Sequence, residues 1–262
     1  MPTLLYSPGD TFLHRLHPLS KLVFSLTAAV IIFGGPGVWG CAGVPGLLAG
    51  IFLWRAGLAG RALRLAGRLL GPLALVLFVV HGLFNPQNQT VVLRLGVLAV
   101  GQEGVLYAAL ILVRLLSVLM ASLVLVMSTH PAHLVQALET IGLPSGLAYL
   151  LGSPLLLLPQ IGGRIGAIQA AQQSRGLETQ GNIMQRVKAL FPLLAPLVFS
   201  ALVDVEERAL ALEVRGFSAP NPKTRLNELP DTKLQEGMRW ALLLLAVVML
   251  LAGVWSKLYG AD

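Results

Sequence analysis

Arg175-Gly176 and Arg215-Gly216 each close an Ala-rich, helix-like run, in QQSRGLE and ALEVRGF, forty residues apart. Two kinds of chemistry suit an arginine in that place. It complements the negative end of the helix dipole, while the glycine relieves the left-handed turn that follows. A guanidinium held at a rigid helix end also makes bidentate, charge-assisted hydrogen bonds to an acidic groove on a partner. Helix termination accounts for any single Arg-Gly. The repetition, on two runs with no membrane span required between them, points to paired docking.

Other reactive side chains are sparse. His130 and His133, in THPAH, stand three apart, but Glu139 is the one nearby group to complete a metal site and Pro131 disrupts its geometry, so the stretch reads as a helix start. Arg114 sits inside an apolar run, where it is expected to bond backbone carbonyls or polar groups of a neighbouring helix. No Gly-x-x-x-x-Gly-Lys-Ser/Thr phosphate loop occurs, and a single cysteine, Cys41, excludes a disulfide within the chain. Catalytic and metal sites are therefore not expected.

The elements that carry these residues are membrane elements. The 262 residues are 55% hydrophobic and 12% charged, with mean hydropathy +0.76, far above a soluble domain. Five stretches are apolar enough to enter a bilayer: 22–33, 38–54, 69–84, 105–127 and 240–255. The first two are separated by GGPG at Gly34 to Gly37. One helix through both would reach roughly 50 Å against a core of about 30 Å, so a helix, a turn and a second helix are expected. None of the five holds an acid, which removes the intramembrane carboxylates of proton-coupled carriers.

Charge placement orients the chain. All of its 19 Lys and Arg except Arg94, Arg114 and Lys257 fall on one face of the five-span arrangement. The positive-inside rule puts that face, with the N-terminus, in the cytoplasm. The excess of base over acid thus marks cytoplasmic loops, and nucleic acid is not an expected partner.

Between the fourth and fifth spans, residues 141–161 are as apolar as a span. Pro144, Gly146, Gly152, Pro154 and Pro159 predict short, broken helices there, lying on or dipping into the membrane face. Beyond them, Gly162, Gly166 and Ala170 form a small-residue row at spacing four, a surface that lets another helix approach closely. From Pro196 to Gly216, Val198, Leu202, Val205, Ala209 and Leu212 share one face, and Asp204 can pair with Arg208 one turn on. The two helices are predicted to pack on one another, crossing at Gly162, Gly166, Ala170, Leu202 and Ala209.

With these residues in view, the chain resembles the transmembrane T component of energy-coupling factor (ECF) transporters, ABC-class importers of vitamins and metals. That family carries two short Ala-Arg-Gly-type motifs on two crossed cytoplasmic coupling helices. Ser174-Arg175-Gly176 and Val214-Arg215-Gly216 match them in order, spacing and context, with Ser and Val where Ala is usual. YSPGDTFLHRLHPLSKL (Tyr6 to Leu22) is similar to the family's N-terminal segment at Tyr6, Pro8, Gly9, Asp10, His14, Leu16, Pro18, Lys21 and Leu22, while His17, Leu19 and Ser20 depart from its usual Asp, Arg and Thr. Residues 101–116 and 128–144 are similar to further family segments. The N-terminal form resembles the shared, vitamin-type component more than the dedicated cobalt or nickel type.

The resemblance implies an all-α, polytopic protein of a prokaryotic cell membrane with about five transmembrane helices and a crossed pair of coupling helices. Residues 1–127 would hold the N-terminal segment and helices one to four, 128–217 the coupling region, and 218–262 a linker and the last span. It also implies two ABC ATPase subunits docking at the Arg-Gly motifs, a membrane S component that binds the substrate, and no cofactor of its own, ATP and Mg being held by the partner subunits. On the residues alone, two other readings stay open. One is a membrane-embedded lipid-modifying enzyme centred on His130, His133 and Glu139, the other a stand-alone secondary carrier.

Overall fold

The structure, a computed structural model, describes residues 6–7, 9–36, 38–85, 90–95, 98–177, 182–219 and 231–259. The chain is an all-α, polytopic membrane protein that divides into two units, residues 1–143 with 229–262, and residues 144–228.

The first unit begins with a single helical turn, α1 (Phe12–Arg15), followed by α2 (Pro18–Gly34) and α3 (Val38–Arg55). Gly34 to Gly37 thus breaks the first apolar stretch in two, as span length requires. α4 (Ala59–Phe84) leads into a two-stranded antiparallel hairpin, β1 (Val91–Leu95) and β2 (Leu98–Gly101), which the sequence reading did not anticipate. α5 (Gln102–Ser128) and α6 (Pro131–Thr140) follow, and α9 (Lys233–Tyr259) closes the unit. Each of the five apolar stretches lies within a helix: α2, α3, α4, α5 and α9.

Among the described residues, Ala59–Phe84, Gln102–Ser128, Val187–Val214 and Lys233–Ser256 are long and apolar enough to cross a membrane, and Pro18–Gly34 and Gly40–Arg55 are shorter apolar helices.

α5 is the axis of this unit, packed by α2, α3 and α4, while α9 lies along α2. Small residues set the approach: Ala28, Ala49, Ala62, Ala66 and Ala121 share one buried cluster with Ile32, Leu53 and Val124. A Cβ at Gly46 of α3 would come within 2.8 Å of the Ser117 Cα on α5, and one at Gly253 of α9 would overlap the Gly34 carbonyl oxygen. In lipid, where burial of apolar surface between helices gains little, such close backbone contact is what holds helices together.

The second unit is a pair of long helices, α7 (Ser145–Ser174) and α8 (Ile183–Val214). Short, broken helices over 141–161 are not what forms. α7 runs without interruption through Pro154 and Pro159. The chain turns only before it, at Gly142 (φ 102°), with Pro144 as the N-cap residue. α8 likewise starts well before Pro196 and carries Pro192 and Pro196 inside it. Most of the expected linker between α8 and α9 lies outside the described residues.

Candidate functional site: the paired helix ends

The two Arg-Gly motifs end their helices with the same geometry. At the end of α7, Gly176 has φ 90°, its N–H donates to the Gln173 carbonyl at 2.9 Å, and the Leu177 N–H donates to the Gln172 carbonyl at 3.0 Å. At the end of α8, Gly216 has φ 68°, its N–H donates to the Glu213 carbonyl at 2.9 Å, and the Phe217 N–H donates to the Leu212 carbonyl at 2.9 Å. Both are Schellman caps, with arginine at the C-cap and a hydrophobic residue just beyond the glycine.

The cap by itself is not special to these motifs. Gly57 and Gly142 end α3 and α6 with the same pair of hydrogen bonds and the same positive φ. What sets α7 and α8 apart is an arginine just before the glycine, where α3 has Ala56 and α6 has Ile141. Arg175 and Arg215 are exposed, and among the described residues neither guanidinium has a hydrogen-bond or ion-pair partner. Ser174 donates its hydroxyl to the Ala170 carbonyl, and Val214 is exposed. Two guanidiniums thus stand free on rigid helix ends, able to take carboxylates from another molecule.

The ends lie far apart. Arg208 donates to the Gln160 side chain, Arg164 meets Asp204, and Gln172 donates to the Pro192 carbonyl, so α7 and α8 run antiparallel. The Phe217 ring, two residues beyond Arg215, packs 5.6 Å from the ring of Tyr149 near the start of α7. Arg215 therefore sits by the beginning of α7 and Arg175 at its end, roughly 40 Å away at 1.5 Å per helical residue.

The contact between the helices is not where the small residues predicted. Gly162, Gly166, Ala170, Leu202 and Ala209 are all exposed, and a Cβ at Gly162 or Gly166 would meet no atom within 4 Å. The neighbouring row takes their place. Arg164 forms the central pair with Asp204, at 2.7 and 2.8 Å, and also reaches the Ser200 carbonyl. The expected Asp204–Arg208 pair is present but longer, at 3.8 Å. Arg164 was missed, although one charge in the long apolar reach of α7 is a signal that a partner is needed.

Three further groups are placed in the first unit. His130 caps α6, its Nδ1 accepting from Ala132 N–H at 3.2 Å, which is the helix-start role. Among the described residues no group of three or more His, Cys, Asp or Glu is arranged to hold a metal ion. Arg114 departs from expectation: its Nε is buried without a hydrogen-bond partner. His17, standing where Asp is usual, caps α2 through Nδ1 (Leu19 N–H at 3.3 Å), and its own N–H donates to Gln235 Oε1 at 2.9 Å. Beside it Arg239 grips Asp231 through two hydrogen bonds, of 2.7 and 3.1 Å. Burial lowers the His17 pKa, with Arg239 and Lys21 adding to the effect and Asp231 opposing it. The hydrogen bond from Arg239 holds the Asp231 carboxyl below its usual value.

Comparison with known proteins identifies the family of the chain. Residues 9–226 match the model of the CbiQ family, described as cobalt transport protein. The chain is 34% identical over 238 residues to the energy-coupling factor transporter transmembrane protein EcfT of Brevibacillus brevis, covering 87% of this chain and 88% of that one. It is 30% identical to the EcfT proteins of Limosilactobacillus fermentum, over 86% of each chain, and of Acidaminococcus fermentans, over 94% of each. A family match across most of the chain, with relatives at this identity over nearly their full length, makes this protein a member of the CbiQ family and a transmembrane T component of the energy-coupling factor transporters.

Proposed function

We propose that the chain is the non-catalytic coupling subunit of an ECF-type importer, passing ATP-driven movement from two ATPase subunits to a membrane S component that holds a vitamin or metal ion. The observation that carries this reading is the pair of exposed arginines, Arg175 and Arg215, whose guanidiniums have no partner among the described residues, on matching caps at opposite ends of one helical hairpin. Two ATPase subunits offer two acidic grooves, and a separation of roughly 40 Å gives each its own arginine. When ATP draws the subunits together, both helix ends move with them, and α7 and α8 shift against each other. The exposed apolar face with Val198, Leu202 and Val205 then tilts the S component. ATP and Mg are held by the ATPases, and the N-terminus lies in the cytoplasm of the bacterial cell.

The test is affinity purification of the tagged chain from its native membrane, wild type beside an Arg175→Glu/Arg215→Glu variant matched for expression, with bound proteins identified by mass spectrometry. The expected result is two ATPase subunits and a small hydrophobic binding protein with the wild type, and loss of the ATPases from the variant. Equal recovery of ATPases with both chains would overturn the docking role.

A further inference from the structure

Two helices of the first unit begin with the same dipeptide. His17-Pro18 opens α2 and His130-Pro131 opens α6, each histidine capping its own helix. Both histidines line one cavity of about 380 Å³, at the N-terminal approach to the first span. The positive ends of two helix dipoles therefore open onto the same space.

The cavity wall holds donors that the chain itself leaves unused. Lys21 is 2% exposed, and among the described residues its ammonium donates one hydrogen bond, to the Ser128 carbonyl at 3.0 Å, out of three it can make. Thr129 is 7% exposed, and its hydroxyl is buried with no partner among the described residues. A buried hydroxyl left so is a standing cost that a ligand would remove. His14 and His133 complete the polar lining, and Arg15 and Lys21 together outnumber the one carboxylate among the lining residues, Asp10. The field is felt within the wall: burial first, then His130 and Lys21, lower the pKa of His133.

We propose that this cavity binds a phosphate-class oxyanion, with Thr129 and Lys21 as donors between the starts of α2 and α6. At about 30 Å³ per water the space holds on the order of a dozen waters. That is more than a free phosphate needs and enough for a phosphate ester. Two sources share this chemistry, inorganic phosphate and the headgroup of an anionic phospholipid of the cytoplasmic leaflet.

The experiment uses the full-length chain, stripped of phospholipid in a neutral sugar detergent, and follows its thermal midpoint. The chain is titrated with inorganic phosphate against chloride at equal ionic strength, and separately with phosphatidylglycerol against a phosphate-free glycolipid. A saturable rise with phosphate alone assigns the free ion, and a rise with phosphatidylglycerol alone assigns the headgroup. Thr129→Val should weaken the response about tenfold or more, the worth of a hydrogen bond to a charged ligand, while leaving the unliganded midpoint unchanged or higher. Lys21→Met should weaken it further. The proposal is overturned if neither probe moves the wild-type midpoint beyond its control, or if Thr129→Val responds like the wild type.

Discussion

Arg175 and Gly176 are neighbours with separable duties, and separating them tests the docking reading directly. Gly176 stands at φ 90° and makes the cap, whereas Arg175 is exposed and its guanidinium has no partner among the described residues. Gly176→Ala forces a Cβ into left-handed backbone, at about 1–2 kcal/mol or more. Arg175→Ala keeps the cap and should change subunit stability by less than about 0.5 kcal/mol, as for other exposed, unpartnered side chains. Its effect falls on the complex instead. Truncating one partner of a desolvated charge pair costs about 2–5 kcal/mol, or roughly 30- to 4,000-fold in affinity. Gly57→Ala supplies the control, since α3 ends with the same cap but has Ala56, and not an arginine, just before the glycine. The assay pairs a thermal melt of the subunit with titration of immobilised subunit by purified ATPases. Arg175→Ala and Arg215→Ala should lose ATPase affinity at unchanged midpoint, and Gly57→Ala the reverse. If both arginine variants bind ATPase within threefold of the wild type, the arginines are helix caps and nothing more.

Other consequences follow from single contacts. Exchanging charges across the hairpin, as Arg164→Asp with Asp204→Arg, should restore the α7–α8 spacing that either change alone widens, as read by spin labels at Ile168 and Leu197. Acid should loosen the joint of α2 with α9. The His17 pKa lies below its ordinary 6.5 in the fold, so the unfolded chain binds more protons as pH drops through and below that value, and stability falls with it. His17→Asn, an acceptor that does not titrate, should flatten the thermal midpoint between pH 7 and 5, whereas Asp231 adds its own loss only below its ordinary 3.8. Gly46→Ala should cost about 1–3 kcal/mol in a detergent melt, and Ser117→Ala should not rescue it, because the Ser117 Cα itself lies within 2.8 Å of the added carbon. Gly43→Ala, with nothing within 4 Å, should be close to neutral.

The parts of the fold legible in the sequence are those fixed by local rules. Span length and GGPG separate α2 from α3, and each apolar run holds its helix because backbone groups in lipid have no other partner. Proline content misleads over 141–161, where α7 continues through Pro154 and Pro159. The hairpin of Val91–Leu95 with Leu98–Gly101 is not anticipated because this stretch enters the sequence reading only through the charge of Arg94, and the β-branched residues of VVLRLGVLAVG carry no weight there. In the candidate site, the caps at Gly176 and Gly216 follow from residue type. The pairing of Arg164 with Asp204 does not, since it depends on which face of α7 meets α8. Small residues at spacing four permit close approach without requiring it, while an arginine among leucines requires a partner.

The mechanical worth of the paired caps lies in what they remove. An arginine on a flexible loop would let a docked ATPase move while the loop absorbed the displacement. Here two hydrogen bonds and a left-handed glycine fix the backbone immediately after each arginine, so the guanidinium is carried by the helix itself. Because α7 and α8 run antiparallel, forces applied at Arg175 and Arg215 act at opposite ends of the pair and turn or slide one helix against the other. The interface between them suits such movement. It is a ladder of long polar side chains, Gln160 with Arg208, Arg164 with Asp204 and Gln172 with the Pro192 carbonyl, whose rotamers can follow a shift. A seam of interlocked backbones along Gly162 and Gly166 would have to be repacked. On this reading, the polar row holds the pair in register while the small-residue row and the apolar face of α8 remain outside the contact, available to the membrane partner that must be moved.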